Sequence, residues 1–144
     1  MCESFPPDPF AARGEFRNEP YTDFGVPQNA GAFQAALSRV WARLGEKHPL
    51  LIAGREVWTA DALDSVNPAH PDQVVGTFCR ADAALVGQAV AAAAEAFESW
   101  KRTSADERAG LLFRTADLLR ARRHDLSAWM VYEVGKPWVE ADAD

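Results

Sequence analysis

Cysteine is nearly absent from this sequence. The 144 residues contain two, Cys2 and Cys79, too few and too far apart for the disulfide framework of a small secreted domain, so a reducing, cytoplasmic setting is expected. Long apolar runs are missing too: nothing approaches the roughly 18 residues that cross a bilayer, so no membrane partner is expected. The opening "MCESFPPDPFAARGEF" has no basic start and no apolar centre, so no secretory leader is expected, and Glu3 and Asp8 argue against a transit peptide. Positive charge is in the minority. Fifteen Lys and Arg stand against twenty-one Asp and Glu, a net charge of −6, which makes nucleic acid an unsuitable partner.

Motifs that announce chemistry are missing as well. There is no HExxH, no CxxC and no Asp-rich calcium loop, and His48, His70 and His124 lie far apart. No GxGxxG occurs. Gly135-Lys136 ends like a phosphate loop, but Pro137 stands where Ser or Thr is needed and Met130 where Gly is needed. Cys79 lies beside Arg80, which could activate a thiolate, yet a small buried hydrophobe is the better reading. Glu140, Asp142 and Asp144 read as favourable charge at a helix start. No catalytic, cofactor-binding or metal-binding residue is therefore assigned.

What is present is a globular composition, 48% hydrophobic and 25% charged. Residues 1–29 are rich in proline and read as a tail and arm; residues 30–144 read as the folded portion. Phe33, Leu37, Val40, Trp41 and Leu44 recur at helical spacing up to Gly45, predicting a helix over 30–44. Residues 50–79 read as a small, mostly antiparallel β section. One strand pair turns at Ala53-Gly54, and a second turns at Asn67-Pro68 ahead of Val74, Val75 and Phe78.

Beyond Asp82 the pattern is helical. One helix carries Leu85, Ala89, Val90, Ala93, Phe97 and Trp100 on a single side. Ser104 and Glu107 form a capping box opening a helix with Leu111, Leu112, Thr115, Leu118 and Leu119 in a stripe. A third helix from about Asp125 is expected to bury Leu126, Trp129, Met130 and Val134 before Gly135 stops it. Pro137 then suits the first turn of another helix, which has barely two turns before Asp144 and so reads as interrupted.

Taken as a set, "NPAHPDQVVGTF", "AAAAEAFESWKRTSADERAGLLFRTADLLRARR" and "EVGKPWVEADAD" resemble the N-terminal part of the aldehyde dehydrogenase superfamily, over roughly residues 50–144. "FRNEPYTDF", a helix and then "HPLLIAGREVWT" resemble the L-glutamate γ-semialdehyde (1-pyrroline-5-carboxylate) dehydrogenases within it. The resemblance implies an α/β fold: an arm and helix, a small antiparallel β section and three packed helices leading into an incomplete Rossmann-like domain. It implies NAD as cofactor of the full-length parent, not bound by this chain alone, a small-molecule aldehyde as substrate and a homo-oligomer. The family's thiolate attacks the aldehyde, hydride passes to NAD⁺, and a glutamate-activated water releases the acid. None of those catalytic residues matches a position here, so the chain alone is expected to be an inactive N-terminal fragment. Glu133 falls where some relatives place a carboxylate near a monovalent cation, although a helix-end carboxylate hydrogen-bonded to a nearby turn is the favoured reading. The arm at 14–24 is expected to lie along other parts of the full protein or a neighbouring subunit. A non-catalytic module acting in oligomer contacts, or a dehydrogenase for another aldehyde, are the alternatives.

Overall fold

The computed structural model describes residues 17–144; the proline-rich tail, with Cys2 and arm residues 14–16, lies outside them. The elements are α1 (Pro27–Trp41), β1 (Glu46–His48), β2 (Leu50–Ile52), β3 (Arg55–Val57), β4 (Ala62–Asn67), β5 (His70–Cys79), α2 (Ala83–Trp100), α3 (Ala105–Ala121), α4 (Arg123–Val134) and α5 (Trp138–Ala143).

Helix α1 begins three residues before the expected position because Pro27 occupies the first turn, where its missing N–H and fixed φ do no harm. It ends at Trp41, and the chain tightens through Arg43 N–H to Val40 O (2.9 Å) and Leu44 N–H to Trp41 O (3.2 Å). The Gly45 N–H then reaches Val75 O at 3.0 Å, which sets β1 beside β5. That pairing is parallel, Glu46 opposite Gly76 and His48 opposite Phe78. The β section is therefore not confined to 50–79. Three residues, Glu46-Lys47-His48, are too short to show alternation, and β1 has no signal of its own.

The other pairings are antiparallel, as expected. Strands β4 and β5 flank the Asn67-Pro68 turn, completing a sheet in the order β1-β5-β4, and β2 with β3 forms a separate hairpin. Ala53 (φ 51°) and Gly54 (φ 74°) both take left-handed backbone there, the two-residue turn whose twist matches its strands. Asn67 is buried. Its Oδ1 accepts from Ala69 N–H (2.9 Å) while its Nδ2 donates to Gln73 Oε1 (2.8 Å), so one side chain closes the turn twice.

Four helix ends have a local chemical reason. Asp82 Oδ1 accepts from Leu85 N–H at 2.8 Å to open α2. The Ser104–Glu107 capping box is complete in both directions, and those hydrogen bonds hold the Glu107 carboxyl below its ordinary value. Gly135 ends α4 at φ 72°, where a Cβ would stand 3.1 Å from Pro68 Cγ. Pro137 caps α5 and does not enter its first turn.

The core lies between α1 and α4. Ala36 and Ala128 are fully buried and, being small, let the helices approach; Val40, Leu37, Leu44, Trp129 and Tyr132 pack around them. Tyr132 Oη donates to Leu37 O at 3.3 Å, and burial raises its pKa. In α4 the buried residues are Ser127 and Ala128; Trp129 and Met130 are half-buried, and Leu126 and Val134 are exposed, which corrects the expected stripe. The side facing α1 is one position out of phase with the side that carries the larger residues.

In α2 and α3 no residue is buried. Val90, Phe97, Leu112, Leu118 and Leu119 are all more than half exposed. Helix α2 has its main contacts with β2, and α3 with α4. The three helices expected to pack together do so only in part.

Candidate functional site

The most elaborate polar arrangement among the described residues forms where the arm, the start of α4 and the end of α5 meet. Asp142 is buried, its side chain only 1% exposed, and all its partners are strong donors. Thr22 N–H donates to Oδ2 and Thr22 Oγ1 to Oδ1, both at 2.7 Å. Arg123 Nε donates to Oδ1 at 2.8 Å and its Nη2 to Oδ2 at 2.7 Å, the two-pronged geometry in which a guanidinium binds a carboxylate best. Burial pushes the Asp142 pKa up, but the Thr22 donors and the Arg123 charge outweigh it and hold the carboxyl below its ordinary value.

Sequence reasoning took Asp142 for helix-start charge, and that is corrected here. Asp142 stands at the end of α5 and Arg123 at the start of α4, each at the terminus where the helix dipole disfavours its sign. Two charges at the wrong ends were the signal available. Glu140 does sit in the first turn of α5, and Asp144 pairs with Lys136.

Beside this carboxylate lies an aromatic seat. Phe33, fully buried, takes Phe24 edge-on at 5.2 Å, Trp138 at 4.9 Å and the His124 ring at 5.8 Å; Phe24 also meets Trp138 at 5.6 Å. His124 Nδ1 is buried with no hydrogen-bond partner among the described residues. Glu19 reaches Arg120 at 2.6 Å. Residues 17–24 of the arm are thus laid against their own chain.

The remaining candidates stay apart. Cys79 is half-buried and accepts from Thr59 N–H at 3.3 Å, and no histidine or carboxylate pairs with it among the described residues. Glu133 Oε1 accepts from Ser65 Oγ at 3.3 Å, so its partner is a strand residue of β4 and not a turn. His48 stacks on Phe78 at 4.8 Å, far in sequence from His124 on Phe33. No group of three or more metal-ligating side chains converges among the described residues, and no helix there is long and apolar enough to cross a membrane.

The starts of α2 and α3 do not fit the phosphates of a dinucleotide. Its phosphates need a helix N-terminus with free N–H groups reached through a glycine turn after a parallel strand. Here β5 leads to α2 through Asp82, whose carboxylate already occupies the first turn, and α3 opens on Asp106 and Glu107. Both starts repel phosphate.

Comparison with known proteins gives this scaffold its relatives. The model of the aldehyde dehydrogenase family matches residues 58–144. A 1-pyrroline-5-carboxylate dehydrogenase of Geobacillus thermodenitrificans (strain NG80-2) is 50% identical over 129 residues, covering 90% of this chain and 25% of that protein. Among solved structures, 1-pyrroline-5-carboxylate dehydrogenase from Thermus with bound NAD aligns with TM-score 0.87 and 42% identity, over 89% of this chain and 25% of that one. The NAD-dependent aldehyde dehydrogenase from Sinorhizobium meliloti aligns with TM-score 0.64 and 40% identity, over 72% of this chain and 21% of that one. The chain spans about a quarter of the length of the curated relatives it matches, and its helices and small sheets correspond to the N-terminal portion of aldehyde dehydrogenase structures. The chain belongs to the aldehyde dehydrogenase family.

Proposed function

We propose that this chain is the N-terminal scaffold of an NAD-dependent L-glutamate γ-semialdehyde dehydrogenase, which oxidises the semialdehyde to glutamate in proline breakdown, and that it supplies none of the reacting groups itself. The reading rests on one observation above the others: half of the residues are identical to a 1-pyrroline-5-carboxylate dehydrogenase across 90% of the chain. The fuller match to the Thermus structure than to the Sinorhizobium one favours the γ-semialdehyde over other aldehydes. Residues 1–29 then serve as a tail and arm and 30–144 as the first portion of the cofactor-binding domain. The catalytic cysteine, the general-base glutamate and the NAD site belong to sequence beyond this chain, and the working enzyme is a homo-oligomer.

The exposed apolar faces of α2 and α3 support the same reading. Val90, Phe97, Leu112 and Leu119 lie open in numbers that a self-sufficient monomer avoids. In the working protein they clad a sheet that this chain does not contain.

The test is a paired assay of NAD⁺ reduction with glutamate γ-semialdehyde. The 144-residue chain is expected to show no turnover above the uncatalysed rate, and a product continued through its reading frame is expected to turn over. Turnover by the chain alone contradicts the reading.

A further inference from the structure

We infer that Asp142 is the clasp of a strap: residues 17–24 close over α1, α4 and α5 as one unit and open as one unit when that carboxylate lets go. The inference uses only side chains of this chain and stands whether or not the proposed activity does.

Four attachments hold the segment. Glu19 pairs with Arg120 at the surface, where both side chains are about half exposed. Thr22 gives its N–H and its hydroxyl to Asp142. The Asp23 carbonyl accepts from Val26 N–H at 3.2 Å and from Asn29 Nδ2 at 2.9 Å. Phe24 seats against Phe33 and Trp138. The residues between are exposed, Tyr21 at 76%, so little else keeps the segment in place. Gly25 follows at once, its N–H held by Asp23 Oδ1 at 2.8 Å, and Pro27 fixes the start of α1 as a rigid post.

Among the attachments, Asp142 has the greatest leverage. The Glu19 pair is solvated and contributes little. The Asp142 contacts are charge-assisted and nearly dry, so each is stronger than a neutral surface bond. The carboxylate also joins three segments at once: with it gone, Thr22 loses two acceptors and Arg123 its two-pronged carboxylate partner. Opening lifts Phe24 off Phe33 and Trp138, so the clasp governs access to the largest fully buried side chain among the described residues.

Amide hydrogen exchange on the full 144-residue chain, read by mass spectrometry with residue-level fragmentation, tests this. In Asp142→Asn, exchange at Thr22 and Val26 is expected to speed up together by roughly 10- to 100-fold, in line with the loss of charge-assisted bonds. The Arg80 amide, which donates to Asp61 O between the ends of β4 and β5, should not change. Phe24→Ala should accelerate the same two amides, and Thr22→Val, a milder variant that keeps the backbone bond, should do so by a smaller factor. Acceleration at Thr22 alone overturns the single-unit strap. Equal acceleration at Arg80 makes Asp142 a general support of the fold and overturns the clasp, as does no change at either strap amide.

Discussion

Replacing Phe33 with alanine is expected to destabilise the chain by about 3–5 kcal/mol, the range for a fully buried aromatic. Its ring is completely enclosed and touches Phe24, Trp138 and His124. Truncation therefore removes the transfer free energy of one side chain and leaves a cavity walled by rings too rigid to close it. The informative comparison is Leu112→Ala. Leu112 has a large side chain in a helix, the usual ground for expecting a costly change, but it is 72% exposed. Its loss should stay within about 0.5 kcal/mol, as for a surface substitution. Urea unfolding of both variants measures the difference. Equal costs would mean that the α3 face is covered in the isolated chain.

Asp142→Ala is expected to lower stability by about 3 kcal/mol, at the lower end for breaking a buried ion pair, because Arg123 keeps 24% exposure and can recover some water. Asp142→Asn keeps the shape and should lose less. The acid behaviour follows with its sign. The folded pKa of Asp142 is depressed, so its contribution is fully present above the ordinary carboxylate value and is lost as pH falls through the folded value. Below about pH 4 the wild-type chain should therefore lose stability more steeply than Asp142→Asn. Thermal melts from pH 7 down to pH 2.5 report this. Parallel acid limbs for the two proteins would show that Asp142 is not ionised and clasped as described.

Local chemistry made much of the fold legible. Ser104 with Glu107, Gly135 after an apolar run and Asn67-Pro68 between apolar stretches each specify a boundary through short-range hydrogen bonds or backbone freedom, and each stands where expected. What the sequence hid was long-range. Strand β1 exists because β5 offers it an edge, and nothing in Glu46-Lys47-His48 announces that. The buried face of α4 was misjudged because Ala128 and Ser127, small enough to meet α1, are less conspicuous than Leu126 and Val134. The Thr22–Asp142 contact spans 120 residues and has no periodicity at all. The apolar stripes on α2 and α3 were legible as stripes. The structure shows that this chain leaves them bare, and spacing cannot tell which polypeptide does the covering.

The account depends on those two helices being cladding for a body outside these 144 residues, and dye binding tests that most directly. The chain should bind an apolar-surface fluorophore and self-associate in sedimentation. A triple variant, Val90→Glu, Leu112→Glu and Leu119→Glu, should lose both properties and melt within a few degrees of the parent. A monodisperse parent that binds no dye, together with a triple variant that fails to fold, would show that the faces are closed within the chain, and the account would be wrong.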